Sequence, residues 1–518
     1  MSIQSLLAPR VLIAGGGPVG LVAALTLARE GIASTVLEAD GDVCEGSRAI
    51  CISRRSLQIL ARLGVSAPFL AKGLGWTEGR SYLGSAEVFH LRMPHSAEDR
   101  FPPFINLQQY YAERFLVDAC LQTGLVDLRW NTRVTALTAR ATGVAVDVDC
   151  RGAAETLRAE WLVAADGARS FVREQGLELS LEGASFERRY LIADISMACD
   201  WPVERKVWFD PASNPGSTII MHRQPDDVWR VDYQLLPHED GEEALREENV
   251  RARIAAHLEM IGVRGPWRLL WRSLYRAHTL SLRDYVHDRV IFAGDAAHLV
   301  PIFGVRGLNS GIEDAQNLAW KLALVLRGLA PGGMLSSYTD ERRAACLENI
   351  ASATKSTWFM SPPTDGFALA RDAVLELAVN HPSFRVLIDP RQSAPHRYRS
   401  SAIGPETSPL VGHPLPDVKL DDGAWLHDVL GSGFAVVRFT SSAARAVQSC
   451  ADHGPAYLEV EIAGNDRAAQ ALNVRAGEWL LVRPDGYVAI HASASDELTP
   501  AWQRIGLTLR EEIHAAQR

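Results

Sequence analysis

Two stretches of the chain hold residues whose types and spacing could do nucleotide chemistry. The first is Gly15-Gly16-Gly17-Pro18-Val19-Gly20, which fits G-x-G-x-x-G. In that pattern glycines allow a tight turn and let backbone N–H groups approach a pyrophosphate at a helix N-terminus. Glu38 follows Gly20 by eighteen positions (38 − 20), close to the spacing at which a strand-terminal acid accepts from a ribose hydroxyl. The second stretch, Gly294 to Leu318, reads GDAAHLVPIFGVRGLNSGIEDAQNL and crowds small residues around Asp295, His298 and Arg306 before running into a helical pattern. Bare backbone beside a carboxylate implies that something must come close to it.

Those residues need elements to hold them. Val11 to Ala14 is a short apolar run, Gly15 to Gly20 a turn, Leu21 to Arg29 apolar at helical spacing, and Ser34 to Leu37 a second run ending at Glu38, so the reading is strand, turn, helix, strand. AEWLVAADGARSFVR (159–173) and DRVIFAGDAAH (288–298) repeat the logic, each a buried-strand pattern ending in Asp-Gly or Gly-Asp. Between them RRYLIADISMA, STIIMHRQ and WRVDYQLLP alternate in period two, with a turn at Pro225-Asp226-Asp227, which predicts an antiparallel sheet inserted between parallel strands. Helical pattern runs from Gly311 to about Asn380. Residues 385–416, with Pro390 among six prolines, form a loop-rich connector, and GFAVVRF, YLEVEIA, EWLLVRP and GYVAIHA predict a small α/β domain after it.

The balance of 53 Lys+Arg against 62 Asp+Glu gives a net charge of −9, with no basic stripe to meet phosphate backbones, so nucleic acid is not an expected partner. Seven scattered cysteines form no CxxC and no metal spacing, which suits a reducing cytoplasm, and no metal is expected. No window approaches the 18 or so apolar residues of a membrane span, and the expected protein is soluble and cytoplasmic.

Gly294-Asp295-Ala296-Ala297-His298, then Pro301, the turn Gly304 to Gly307, Asn309, and Gly311 through Leu318 together resemble the group A flavoprotein monooxygenases, the family of para-hydroxybenzoate hydroxylase and the phenol hydroxylases. The resemblance covers almost the whole chain. It implies an α/β fold: a Rossmann-like FAD-binding domain over 1–180 and 285–400, an inserted antiparallel-sheet substrate domain over 181–284 that 75–105 joins, and a thioredoxin-like α/β domain over 410–518. It further implies non-covalent FAD held by Gly15, Gly17, Pro18, Val19, Gly20 and Glu38, with Asp295 on the ribityl chain. Backbone from Pro301, Gly307, Leu308 and Asn309 would meet the pyrimidine edge, where a helix N-terminus suits the negative charge of a reduced flavin. Asp166 in DGARSFVR matches the second fingerprint, Arg48 an arginine near the flavin, and Gln109 a flavin-contacting glutamine, with Gln108 its rival one position earlier.

The implied activity is hydroxylation of a phenolic or other electron-rich ring with O2 and NAD(P)H through a flavin hydroperoxide, in a pocket kept dry. No second G-x-G-x-x-G follows a strand, so NAD(P)H is expected as a transient donor. On the last inserted strand Trp229, Val231, Tyr233 and Leu235 share one face and Arg230, Asp232 and Gln234 the other. Arg230, Asp232 and, on the preceding strand, His222 are the candidate pocket groups. Pro301-Ile302 replaces a common Pro-Pro, and Phe303 and Arg306 are bulky for this loop. Cys450 is the only cysteine of the tail, which excludes dithiol exchange there and points to packing or a homodimer contact. A flavin oxidase or dehydrogenase, or a non-catalytic escort protein, are the alternatives on the same fold.

Overall fold

The computed structural model describes residues 10–507 apart from 390–391, 401, 442–444, 451–454, 494–495 and 497. Pro390 of the expected connector and the outer ends of the first and last expected domains lie outside the described residues.

Val11–Ala14, Ser34–Leu37, Trp161–Ala164 and Val290–Phe292 are apolar or nearly so along their length and buried at every position. Strands that are buried on both faces suit a parallel sheet covered by helices. They form one, in the order 286–287, 290–292, 161–164, 11–14, 34–37, 126–129, antiparallel only at the 286–287 edge. Helix Pro18–Arg29 starts with proline in its first turn after Gly17, and ten of its residues are buried. Helix Gly307–Leu326 packs against it and is buried almost throughout.

The second large sheet has eight strands, ordered 298–299, 267–281, 182–197, 228–234, 218–224, 205–209, 78–83, 86–92. Its only parallel pairing is 205–209 with 78–83. One face carries Trp229, Val231 and Tyr233 with Ile219, Met221 and Leu191, and packs on Val250, Ile254 and Leu258 of helix Glu247–Met260. The opposite face turns Tyr190, Val207, Phe209 and Ile220 towards Phe303, Met360 and Leu375. The alternation predicted from the last strand therefore holds. The strands flanking it are longer than the pattern suggests: Glu182–Met197 and Trp267–Ser281 run side by side across two register shifts.

Three expectations change. Helix Gly307–Leu326 begins before Gly311, because Gly307, Leu308 and Asn309 form its first turn. Segment 75–105 splits: Glu78–Leu83 and Ala86–Arg92 join the eight-stranded sheet, whereas Leu74–Trp76 and Phe104–Asn106 pair with Cys51–Ser53 in a small sheet of their own. A three-stranded antiparallel sheet of Thr132–Arg140, Gly143–Cys150 and Ala153–Ala159 is added. It packs against the parallel sheet on one side only, so its alternation is diluted by exposed positions.

The C-terminal sheet is ordered 446–450, 457–463, 434–440, 478–482, 488–493, with 434–440 and 457–463 parallel. Its turn Arg483 to Gly486 reaches in towards helices Arg54–Arg62 and Gly307–Leu326. Arg483 donates to both oxygens of Glu341 at 2.7 and 2.9 Å and to Asp485. Lys321 donates to Glu341 at 2.8 Å. Arg55 and Arg62 of helix Arg54–Arg62 donate to the carbonyls of Asp485 and Pro484. All of these charged side chains are buried.

Candidate functional site

The glycine-rich turn is built by close approach. Gly15, at φ +102°, lies under Ala165, where an added Cβ would stand 2.4 Å from the Ala165 oxygen. Gly20 touches Gly15 in the same way, its notional Cβ 2.0 Å from the Gly15 oxygen. Gly17 differs: its backbone suits any residue, and a Cβ there would meet nothing within 4 Å. Gly307, at the start of the second helix, is equally open. Val19 joins the two stretches, since a Cβ on Gly311 would fall 2.5 Å from its side chain and one on Gly294 3.0 Å from it. The N-terminal turn and the 294–311 segment thus share one cleft. The N–H groups of the first turns of helices Pro18–Arg29 and Gly307–Leu326 have no partner within their helices.

Carboxylates line the same cleft. Glu38 accepts from the Gly16 N–H at 2.7 Å and from Asp40 N–H at 2.9 Å. Asp166 accepts from Val172 N–H at 3.1 Å, while its other oxygen is buried without a partner among the described residues, and burial pushes its carboxyl above the ordinary range. Asp295 is open to the cleft yet walled by protein on its other sides; that enclosure raises its carboxyl, against the pull of His298, Arg48 and Arg173. An anionic cofactor phosphate with donor N–H groups, a ribose and a ribityl chain fit this set of donors, acceptors and open glycines, so the residues present fit FAD.

Other side chains fix the cleft's walls. Arg173 donates to the carbonyls of Ala168 and Ala296, at 2.7 and 3.1 Å, and clamps the Asp166-Gly167 turn to the Asp295 turn. Buried His298 meets Asp314 at 2.7 Å, and Asp314 also accepts from Gly294 N–H and from Arg342 Nε at 2.6 Å. Burial opposes ionisation of Asp314, but the charges of His298 and Arg342 win and hold it down at about 2. The Asn309 side chain is spent on structure: it accepts from Ser53 N–H and the Ser56 hydroxyl, at 2.8 and 2.7 Å, and donates to the Cys51 and Val305 carbonyls. Only its backbone is left for a cofactor. Pro301 is buried, and Leu308 is half-buried beside Gly307. Arg306 turns away to Asn349 and Ser352 at 2.7 and 2.8 Å.

Arg48 is exposed in a loop that is gripped from both sides. Gln109 accepts from Ala49 N–H at 3.2 Å and its N–H donates to Ser47 at 2.7 Å, while its amide reaches Glu113. Gln108, the rival, donates instead to the Pro225 carbonyl at 2.9 Å. From the other side Arg230, buried, donates to the Arg48 carbonyl at 3.0 Å and to Ser47, and forms a two-pronged pair with Asp194 at 2.9 and 3.0 Å. Its guanidinium is thus engaged with protein.

Directly across the ladder from Arg230 is His222, and across from His222 is Arg205. Opposed residues point to one face, so these three and Asp232, two positions along from Arg230, look into the space under the sheet. Burial, aided by Arg205 and Arg230, lowers His222 to about 3, a ring held neutral and a weak base. Burial raises Asp232 to about 7, with Arg230 opposing, and its Oδ1 has no partner among the described residues. Val305, from the 301–307 loop, packs against the neighbouring cluster of Ile50, Trp76 and Phe104. The polar row and the loop therefore border one region.

Sequence reasoning did not single out Arg173, Asp194, Asp314 or Arg205. Asp194 carried a signal, a lone acid in an otherwise apolar alternation. Arg205 lay at the head of RKVWF, two charged residues before three apolar ones, in which no alternation shows.

The chain matches the family described as FAD binding domain over residues 9–353, and the aromatic-ring hydroxylase C-terminal domain over 408–506. It is 29% identical to a flavin-dependent monooxygenase of Mycobacteroides abscessus over 93% of this chain and 96% of that one. It is also 29% identical to a 3-(3-hydroxy-phenyl)propionate/3-hydroxycinnamic acid hydroxylase of Burkholderia cenocepacia over 97% of each. Among solved structures, the flavin-dependent monooxygenase PieE in complex with FAD and substrate shares the fold, with a TM-score of 0.79 at 22% identity over 97% of this chain and 99% of that one. Among the described residues no helix is long and apolar enough to cross a membrane. Matched along its nucleotide-binding part and again along its tail, the chain belongs to the class A FAD-dependent aromatic hydroxylase family.

Proposed function

We propose that this chain hydroxylates a phenolic or other electron-rich aromatic compound with O2 and NAD(P)H, holding FAD between the two glycine-lined helix starts. The observation that carries the reading is the single cleft made by Gly17, Gly307, Asp166 and Asp295, with the polar row of the eight-stranded sheet on its far side. When bound, FAD supplies the hydride acceptor and the oxygen-activating chemistry. In this reading residues 10–180 and 285–400 hold the cofactor, 181–284 with strands 78–83 and 86–92 roof the substrate, and 410–507 form the thioredoxin-like tail.

The chain's own groups divide the work. Gly17, Val19 and Gly20 would present backbone to the pyrophosphate of FAD, Glu38 would accept from its ribose, and Asp295 would accept from its ribityl chain. Backbone of Gly307 and Leu308 would meet its pyrimidine edge. Arg230 does not reach the ring directly but positions the loop that carries Arg48. Asp232 Oδ1 takes the phenolic proton, because a carboxyl poised near neutrality is a better acceptor than His222. The apolar side chains of Tyr190, Val207, Ile220 and Phe303 keep water out.

Asp295→Ala should lower FAD retention by about 1 to 3 kcal/mol of binding, the usual loss when an enclosed ligand hydroxyl is deprived of its hydrogen-bond acceptor. Flavin content after gel filtration measures it, and an unchanged value removes Asp295 from the site. The reaction is tested by phenol-stimulated NAD(P)H consumption with recovery of a hydroxylated product. Oxidation of the aromatic compound with stoichiometric H2O2 in the absence of NAD(P)H would point to the oxidase alternative.

A further inference from the structure

Where the C-terminal turn meets helix Arg54–Arg62, two arginines are buried around one glycine. Arg55 is 4% exposed and Arg62 9%. Each spends one nitrogen on a carbonyl, Arg55 on Asp485 at 2.5 Å and Arg62 on Pro484 at 3.0 Å. The Nε and Nη1 atoms of both side chains are buried donors with no partner among the described residues. Leaving charged donors unmet in an interior is costly. The two carboxylates within range of Arg62 are engaged elsewhere. Asp485 accepts from Arg483, Asn317 and Trp320, and Asp417 accepts from Arg100 at 3.3 Å and from the His427 N–H at 3.0 Å. The local field is therefore positive. Burial, with Arg55 adding to it, lowers Arg62 to about 10, so it stays charged at neutral pH, and burial with Arg62, Arg55 and Arg100 lowers His427 to about 3. The unmet donors also converge. Gly486, at φ +78°, faces them without a side chain, and a Cβ built on it would lie 3.6 Å from Arg55 Nη1 and 3.8 Å from Arg62 Nε. Apart from the adjoining residues of the turn, no atom comes nearer to that point.

We propose that Arg55 and Arg62 bind a small monovalent anion, chloride or bromide, beside Gly486 at the junction of the C-terminal turn with helix Arg54–Arg62. One negative charge shared by Arg55 Nη1 and Arg62 Nε offsets the repulsion between the two guanidinium groups and meets one orphan donor on each. Hydrogen bonds assisted by charge in this way are about twice as strong as neutral ones. Both donors lie within 4 Å of one point, a spacing that a single atom bridges and a tetrahedral oxyanion overfills. The anion ties the turn to the helix whose start, through Ser53 and Ser56, holds Asn309. Its effect is thus on the docking of the tail, and the inference stands apart from the ring chemistry.

The full-length protein is moved into chloride-free gluconate buffer and melted at increasing NaCl, with gluconate withdrawn in step so that ionic strength, and hence screening, stays fixed. An anion that binds only the folded chain raises the melting temperature. The expected rise is about 1 to 3 °C between about 1 and 100 mM chloride, with bromide acting likewise. Arg62→Met should lose this response. Gly486→Asp, a residue type that tolerates positive φ, sets a carboxylate among the converging donors, so it should melt higher than the wild type in gluconate and ignore added chloride. Crystals grown in bromide should give an anomalous peak between Arg55 and Arg62. A melting temperature indifferent to chloride at fixed ionic strength, a response that both variants keep, or bromide found at surface residues only, as an adventitious ion, overturns the proposal and leaves these donors to water. If Arg62→Met does not fold, Gly486→Asp and the bromide peak decide.

Discussion

Asp232 is the residue at which pH should be felt most directly. Its carboxyl is raised from 3.8 to about 7, chiefly by burial. In the unfolded chain it loses its proton near 4, whereas in the folded chain it keeps it to about 7, so between these values the folded state binds more protons. Stability contributed by this group is therefore lost as pH rises through that window and is level above it. The shift corresponds to about 2 to 4 kcal/mol. Asp232→Asn should remove this decline, so thermal unfolding of the FAD-free protein from pH 4 to 8 should show the variant gaining on the wild type as pH rises. Parallel curves would mean that Asp232 is not titrating in that range. At this scale the sequence named Arg230, Asp232 and His222 by strand alternation, but not what each would touch. Arg230 turned out to be consumed by Asp194 and the Ser47–Arg48 carbonyls, because pairings across a sheet depend on register, which spans distant parts of the chain.

The two helix starts differ in what their glycines are for. Gly20 is required by contact with backbone, so Gly20→Ala should abolish soluble folded protein. Gly17 and Gly307 border open space, so Gly17→Val and Gly307→Val should leave the melting temperature of the FAD-free protein nearly unchanged. Each should weaken FAD binding by about 10- to 100-fold, the effect of overfilling a fitted site. Fluorescence titration of the stripped protein with FAD checks this; unaltered affinity in both variants would place the cofactor elsewhere. The strand–turn–helix unit was legible because its buried runs and glycines are local. The long strands Glu182–Met197 and Trp267–Ser281 were only partly legible, since half their length twists past the core and exposes polar residues that blur the alternation. Leu74–Trp76 and Phe104–Asn106 are three residues each, too short for period two to register.

Across the whole molecule the tail and the nucleotide-binding part are joined by charge as well as by apolar packing. Arg483, Glu341 and Lys321 are fully buried, and the pairing holds Glu341 well below the usual carboxylate range against its burial. Arg483→Met would leave Glu341 and Asp485 short of a partner, at a cost of about 3 to 5 kcal/mol. Chemical denaturation should register that loss, and a change within 1 kcal/mol or so would show that the network relaxes. The sequence displayed LVRPDGYVAI as a strand pair in a separate tail; that its turn is a plug could not be read from it, because the receiving groups lie more than a hundred residues earlier.

The plug has a bearing on how the chain can be altered. Arg55 and Arg62 hold its carbonyls from the same short helix whose first turn, through Ser53 and Ser56, fixes Asn309 at the start of helix Gly307–Leu326. A tail exchanged for that of a relative would have to bring a matching arginine and aspartate on its hairpin, or the graft would leave Glu341 with Lys321 alone in the interior and loosen the packing behind helix Gly307–Leu326.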